Sequence, residues 1–331
     1  MSRTSRYAFI LAKMYGILAR SHVGRNYRDL LRLKDLAELS DVLFPGERKE
    51  SGARVLAVDL EARIVQARIE AMTYVMTSLK EPVEILVHIL RKIEYQGLKS
   101  VIRAMASGKA APGRIWDLGP WASIHLAEAK DYEREIRSSP YAWILPHVKT
   151  DPLARVENLL DRQYYERLLQ LSRALPPRDR TGVLRLVGLE IALANAIWAL
   201  RLRFNYSLNA ERARSLLIPG LGQAAREAVM AVFEMTPDSV DEWRRWKFGW
   251  MLEDQLAESL RAPDPVRAEQ KASQRMYLRA HQLFHQAPFT LAPLVAYFKL
   301  KEYEADLLKT AVEARQMAIP EQDVLAMTGV G

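Results

Sequence analysis

"PLVAYFKLKEYEADLLKTAVEARQMAIP", residues 293–320, is the stretch on which the reading of this chain turns. At about 100° per residue, Leu300, Tyr303, Leu307, Leu308 and Ala311 fall on one apolar stripe, so the spacing predicts an amphipathic helix. Glu304 projects into the middle of that stripe. A carboxylate there is either chemistry or architecture. Catalysis would need acid and base partners converging on one pocket. A buried, hydrogen-bonded carboxylate would instead fix how the helix packs. The second reading is expected, with Glu304 paired to a basic, tyrosine or backbone donor.

Helical periodicity extends through most of the 331 residues. Val65, Ile69, Met72 and Met76 step by four, three and four, as do Leu86, Leu90, Ile93 and Gly97. Strand-like alternation, such as "ARVLAV" at 53–58, is short and isolated. Prolines, among them Pro152, Pro176, Pro177, Pro219 and Pro293, punctuate the periodic stretches and mark turns. The expected fold class is all-α.

The chain also repeats itself, and long-period self-similarity sets architecture. "LEARIVQARIEAM" (60–72) and "VENLLDRQYYERL" (156–168) align at an offset of 96, matching Glu61 with Glu157 and Glu70 with Glu166. "LRKIEYQGLKSVIRA" (90–104) and "GLEIALANAIWALRL" (188–202) align at 98, so Arg103 falls on Arg201. "LKEYEADLLKTAV" (300–312) joins the first of these at 210, which sets Glu304 on Glu94. The middle copy has Ala192 at that position, and Asn195 takes the centre of its stripe. Each copy thus carries one polar residue facing the expected core.

These residues resemble the C subunit of archaeal-type rotary ATPases, known in eukaryotic vacuolar ATPases as the d subunit. The resemblance spans nearly the whole chain. It is carried by the aromatic, Lys-Glu-x-Glu, Ile-Pro ending, which includes Glu302 and Glu304. The middle-copy "ALANAIWALRLRFN" carries it too, with Asn195, Arg201 and Arg203, as does "LLIPGLG" at 216–222. The sequence departs from the family at Ala192, Gly97 and Leu307, where an acidic residue and two asparagines are usual. The resemblance implies a funnel of three similar helical lobes (residues 1–112, 113–214 and 215–331) with a central socket. The socket would grip the central shaft subunits while the lobes sit on the cytoplasmic face of the membrane proteolipid ring. It further implies a rotor part with no active site, cofactor or metal of its own. Glu94, Asn195, Arg201, Arg203, Glu302 and Glu304 are the candidate structural or interface residues.

Composition narrows the alternatives. The chain has no cysteine, which excludes disulfides, thiolate metal sites and a cysteine nucleophile. Its net charge of +8 comes from 48 basic and 40 acidic residues that are interleaved along the chain, the pattern of solvated helix faces. No nucleic-acid motif accompanies the charge. The longest strongly apolar run, "IALANAIWAL" (191–200), is half the roughly 20 residues a membrane span requires, so no transmembrane segment is expected. Lys13 likewise interrupts the apolar start of the chain too early for a secretory leader.

Sharper motifs weaken on inspection. "SGKAAPG" (107–113) lacks the upstream glycine of a phosphate loop and has Ala110 in place of the Ser/Thr that should follow the lysine. His281 and His285 have ligand spacing without a third ligand or the glutamate of a zinc protease. Trp243, Trp246 and Trp250 are predicted to share one helix face, in a core or against a partner. Arg201 and Arg203 either cap their own helix or face an acidic shaft. The rival to the rotor reading is a basic helical adaptor for nucleic acid or acidic proteins, with an unrelated helical enzyme as a third.

Overall fold

The computed structural model describes residues 3–46, 52–108, 114–257 and 262–328. Among them there are helices and turns and no strand. Most of "SGKAAPG" and the expected 112/113 lobe boundary lie outside the described residues. Packing divides the chain into two units, residues 1–82 with 266–331 and residues 83–265.

The first unit opens with α1 (Arg3–Leu18), α2 (Arg25–Leu31), α3 (Leu36–Leu43) and α4 (Ala53–Thr77). The second holds α5 (Glu84–Leu90), α6 (Lys92–Ser107), α7 (Tyr132–Arg137), α8 (Leu145–Thr150), α9 (Leu153–Ala174) and α10 (Pro177–Phe204). It continues with α11 (Ala210–Arg214), α12 (Gln223–Ala231), α13 (Val240–Arg245) and α14 (Glu253–Ala257). α15 (Pro265–Gln286), α16 (Ala292–Gln316) and α17 (Glu321–Thr328) then complete the first unit.

Helix ends follow local chemistry. Asp35 caps α3 by accepting from the N–H groups of Ala37 and Glu38. Pro177 occupies the first position of α10, where the missing N–H costs nothing. α6 stops at Gly108, whose φ of 61° is left-handed.

In the first unit, α16 is the central helix. Ala305, Leu308 and Val312 pack on Leu56, Leu60 and Ile64 of antiparallel α4 and on Leu36 and Leu39 of α3. Its other side, Leu307, Ala311 and Ala314, meets Tyr27, Leu31 and Val324. Every residue from Ala292 to Leu300 is buried, so the first part of this helix is core all round, whereas beyond it Asp306 and Glu313 are exposed opposite buried Leu307, Leu308 and Ala311, the amphipathic pattern expected. "ARVLAV" is helical: Leu56 is buried and Val58, two residues on, is 63% exposed, whereas a strand would put both on one face.

In the second unit, α9 packs against α10 and against α5 and α6. Arg103 with Glu157 (2.6 Å) and Lys99 with Asp161 (2.5 Å) form an antiparallel charge ladder between α6 and α9. Inside it, His88 stacks on Tyr164 (4.9 Å between ring centroids) and bonds that residue's carbonyl at 2.8 Å. The apolar stretch of α10 exceeds the ten residues expected, reaching a window long and apolar enough for a membrane span by composition. However, 67% of that window is buried in the protein, which makes α10 a core helix.

Truncating Leu60 to Ala should cost about 2–5 kcal/mol of unfolding free energy, since it is fully buried between α4 and α16. Val58→Ala should stay within about 0.5 kcal/mol. Chemical denaturation of the two variants checks the direction in which α4 faces.

Candidate functional site

Glu304 is 4% exposed on α16. Its Oε1 accepts the backbone N–H of His22 at 2.8 Å, and its Oε2 pairs with Lys301 one turn earlier. The charge is thus neutralised within its own helix, while the other oxygen holds the loop between α1 and α2. Burial pushes the His22 imidazole below its ordinary range. The Glu304 carboxylate opposes that shift and the Lys301 ammonium adds to it.

Glu94, at the matching repeat position on α6, is also 4% exposed and holds a different loop. Its Oε2 accepts the Ser123 N–H at 2.7 Å; its Oε1 accepts the Ser123 hydroxyl at 2.5 Å and the Tyr141 hydroxyl at 2.6 Å. Burial first, and the Glu94 charge second, raise the Tyr141 phenol far above its usual range, so it stays a proton donor to the carboxylate. Burial also pushes neighbouring Tyr95 up to about 12.

Asn195 on α10 is wholly buried and makes a two-way clasp. Its amide donates to the Ile218 carbonyl at 2.9 Å, and its carbonyl accepts the Ile218 N–H at 2.7 Å. This explains "LLIPGLG": with Ile218 fixed, the chain turns at Pro219 and Gly220. Gly220 has φ 94°, and a Cβ there would run into Leu169 Cδ2. Gly97, aligned with Asn195, leaves room for Ile115, whose Cγ2 would be 3.3 Å from an added Cβ. The first copy therefore fills with a hydrocarbon contact the position where the second places an amide.

The remaining candidates do other work. Arg203 donates from both terminal nitrogens to the carbonyls of Val232 and Met235, so it caps the end of α12 and not its own helix. Burial lowers its pKa. Arg201 is half-buried, and its carbonyl receives the N–H groups of Asn205 and Tyr206. Glu302 pairs with buried Lys299 at 3.2 Å.

The tryptophans do not share a helix face. α13 ends at Arg245, Trp246 is extended at ψ 137°, and Trp250 lies in a 3-10 turn. Trp243 and Trp246 are core, 5.7 Å apart edge to face, with their indole N–H groups bonded to carbonyls.

Glu94, Asn195 and Glu304 each anchor a separate loop. Of their partners, Ile218 lies in the "LLIPGLG" stretch singled out above, whereas Ser123, Tyr141 and His22 carry no sequence signal, because each lies in a non-repeating connection. Among the described residues no cluster of three or more His, Asp or Glu side chains could hold a metal. His281 and His285 lie 4.7 Å apart ring to ring, and His285 Nδ1 is engaged by the Tyr15 hydroxyl at 3.0 Å. The arrangement can fasten loops to helices; it offers no convergent acid–base pair.

Two outcomes are expected. Glu304→Ala should cost on the order of 3 kcal/mol, because it strands Lys301 and the His22 N–H; Glu304→Gln, which retains the acceptor, should cost less. Thermal melts of the two variants measure the difference. His22 should also make stability pH-dependent. Its folded pKa lies below the unfolded value of about 6.5, so the unfolded chain takes up a proton that the folded chain refuses. That share of stability is complete above about pH 6.5 and is lost as the pH falls through the folded pKa. His22→Gln should therefore melt with a shallower acid dependence than the wild type.

Comparison with known proteins identifies a family. The family model described as ATP synthase (C/AC39) subunit matches residues 23–327. A protein of Treponema pallidum (strain Nichols), described only as an uncharacterized protein, is 26% identical over 303 residues. That match covers 90% of this chain and 89% of the relative. The C subunit of the A-type ATP synthase of Thermococcus kodakarensis is 23% identical over 234 residues, covering 68% of this chain and 62% of that protein. With the match running from the α1–α2 loop to the last described helix, the chain belongs to the ATP synthase (C/AC39) subunit family.

Proposed function

We propose that this chain is a non-catalytic central-rotor subunit of a V/A-type ATPase or ATP synthase, carrying torque between the central shaft subunits and the membrane proteolipid ring. The observation that carries the reading is the family match over residues 23–327. The clasp geometry supports it. Three long helices at repeat-related positions, α6, α10 and α16, each hold a loop through a buried polar side chain, as expected of three similar lobes lining a socket. The lobes would follow residues 1–112, 113–214 and 215–331, with long helices also packing against helices of other copies, as α6 does on α9 and α16 on α4. The protein would bind no nucleotide or nucleic acid specifically and would sit at the cytoplasmic membrane face through its complex.

Reconstitution tests this. A complex assembled without this chain should keep ATP hydrolysis in its soluble sector and lose ion pumping, because torque has no path to the ring. Undiminished pumping would overturn the rotor reading. Stoichiometric, sequence-selective nucleic-acid binding by the isolated chain, steeply weakened by salt, would favour the adaptor instead.

A further inference from the structure

α10 is long and apolar enough for a membrane span by composition, yet its Trp198 is only partly buried. That indole lines a cleft of about 580 Å³ in the second unit, within the size range of small-ligand sites. Leu159 of α9, Leu202 of α10, Leu208 and Leu216 line it as well. Its walls are fastened by hydrogen bonds of the protein's own. Asn158 donates to the Leu216 carbonyl at 2.9 Å and Arg162 Nη1 to the Ser215 carbonyl at 2.5 Å, which ties α9 to the segment after α11. Ser207, at φ 51°, adopts a left-handed conformation uncommon outside glycine. The turn it makes brings Leu208 back, so that the Leu208 N–H bonds the Leu202 carbonyl at 2.9 Å.

Three arginines line the same cleft, Arg155, Arg162 and Arg212, and no carboxylate does. Solvent reaches all three: the side chains of Arg155 and Arg162 are 59% and 30% exposed, and Arg212 is exposed. Asp151 approaches Arg155 at 3.5 Å and Glu166 approaches Arg162 at 3.6 Å, contacts too long to use up the five N–H groups of a guanidinium. Arg212 has no ion pair among the described residues. Ser215, which accepts from Arg162, donates its hydroxyl to the Arg212 carbonyl at 2.9 Å, so Arg162 reaches the end of the helix on which Arg212 stands.

Cations without a carboxylate among the lining residues attract an anion, and the apolar wall beside them rewards a body larger than a simple ion. We propose that this cleft binds a single-chain organic anion, an apolar chain ending in a carboxylate, with its head on Arg162 and Arg212 and its chain along Trp198, Leu202 and Leu208. A cleft of this volume takes one such chain and not a folded partner. The site rests on its own geometry and not on the rotor reading.

The test uses the full chain with octanoate as probe and neutral octanamide as its isostere, followed by calorimetry and by the indole N–H NMR signal that Trp198→Phe removes. For a probe of this size the expected Kd is on the order of 1 mM. Octanoate should bind saturably and shift that signal, and octanamide should bind about tenfold more weakly. Hexanoate, two methylenes shorter, should also bind about tenfold more weakly. Arg212→Gln, at an exposed position without an ion pair, should fold as the wild type does and bind octanoate about threefold more weakly or worse. Arg162→Gln combined with Arg212→Gln should bind acid and amide alike. Equal binding of octanoate and octanamide to the wild type, equal binding of octanoate and hexanoate, or no saturable binding overturns the proposal without reference to any variant. So does an Arg212→Gln protein that binds octanoate as the wild type does, or a titration that moves other indole signals and leaves that of Trp198 in place. Shaft subunits added to the octanoate complex should leave binding undiminished; displacement would assign the cleft to a protein contact and overturn the small-molecule reading.

Discussion

A polar side chain in the apolar stripe of a central helix must find its hydrogen bonds inside the protein, and in this chain the partners are loops. Glu304 reaches a backbone N–H 282 residues away in sequence, so one buried carboxylate fastens the C-terminal α16 to the loop behind α1. Bringing such distant segments together costs entropy, but only slowly more than closing a shorter loop, and the hydrophobic contacts of α16 with α4 and α3 offset much of it. What those contacts lack is direction. Hydrocarbon packing tolerates a helix sliding by a fraction of a turn, whereas a carboxylate with one oxygen on Lys301 and one on a fixed N–H does not.

The same constraint explains the choice of residues at the other two clasps. Glu94 is surrounded by donors that stay protonated, including a phenol held far above its usual range, so its charge is met by three donors without any cation among them. Asn195 faces a segment that presents both an N–H and a C=O, and only an amide matches both. A carboxylate there would leave the Ile218 carbonyl against a negative oxygen. The middle copy thus departs from its neighbours because its loop presents a different pair of groups.

Much of the fold was legible because it follows from periodicity. The stripes at 65–76 and 300–311, the proline boundaries at Pro152, Pro177 and Pro293, and the polar interruptions at Glu94, Asn195 and Glu304 are local patterns. The misreadings also have local causes. The three tryptophans keep helical spacing, but Trp246 leaves the helix to place its indole N–H on the Ala228 carbonyl, a tertiary contact that spacing does not encode. Arg203 was open to two readings, a cap of its own helix or a residue facing an acidic shaft, and its terminal nitrogens reach the carbonyls of Val232 and Met235 just past the end of α12, a tertiary contact the sequence does not mark. The identities of Ser123 and His22 as backbone partners were illegible for a simpler reason. Any loop residue brings a backbone N–H, so the sequence marks the acceptor and leaves the donor unmarked.

Arg68 is the converse case, a donor whose acceptor the described residues do not supply. In sequence it is one more arginine between Ala67 and Ile69 on a long helix, and the expectation for such a residue is a solvated face. Its burial follows from geometry: on α4, which packs antiparallel on α16, position 68 lies one turn after Ile64 of the core cluster, so the side chain is carried inward. A well-packed core would hold a hydrocarbon there and gain stability from the exchange. The fold instead keeps a charge there, a short way from the Lys301–Glu304 pair.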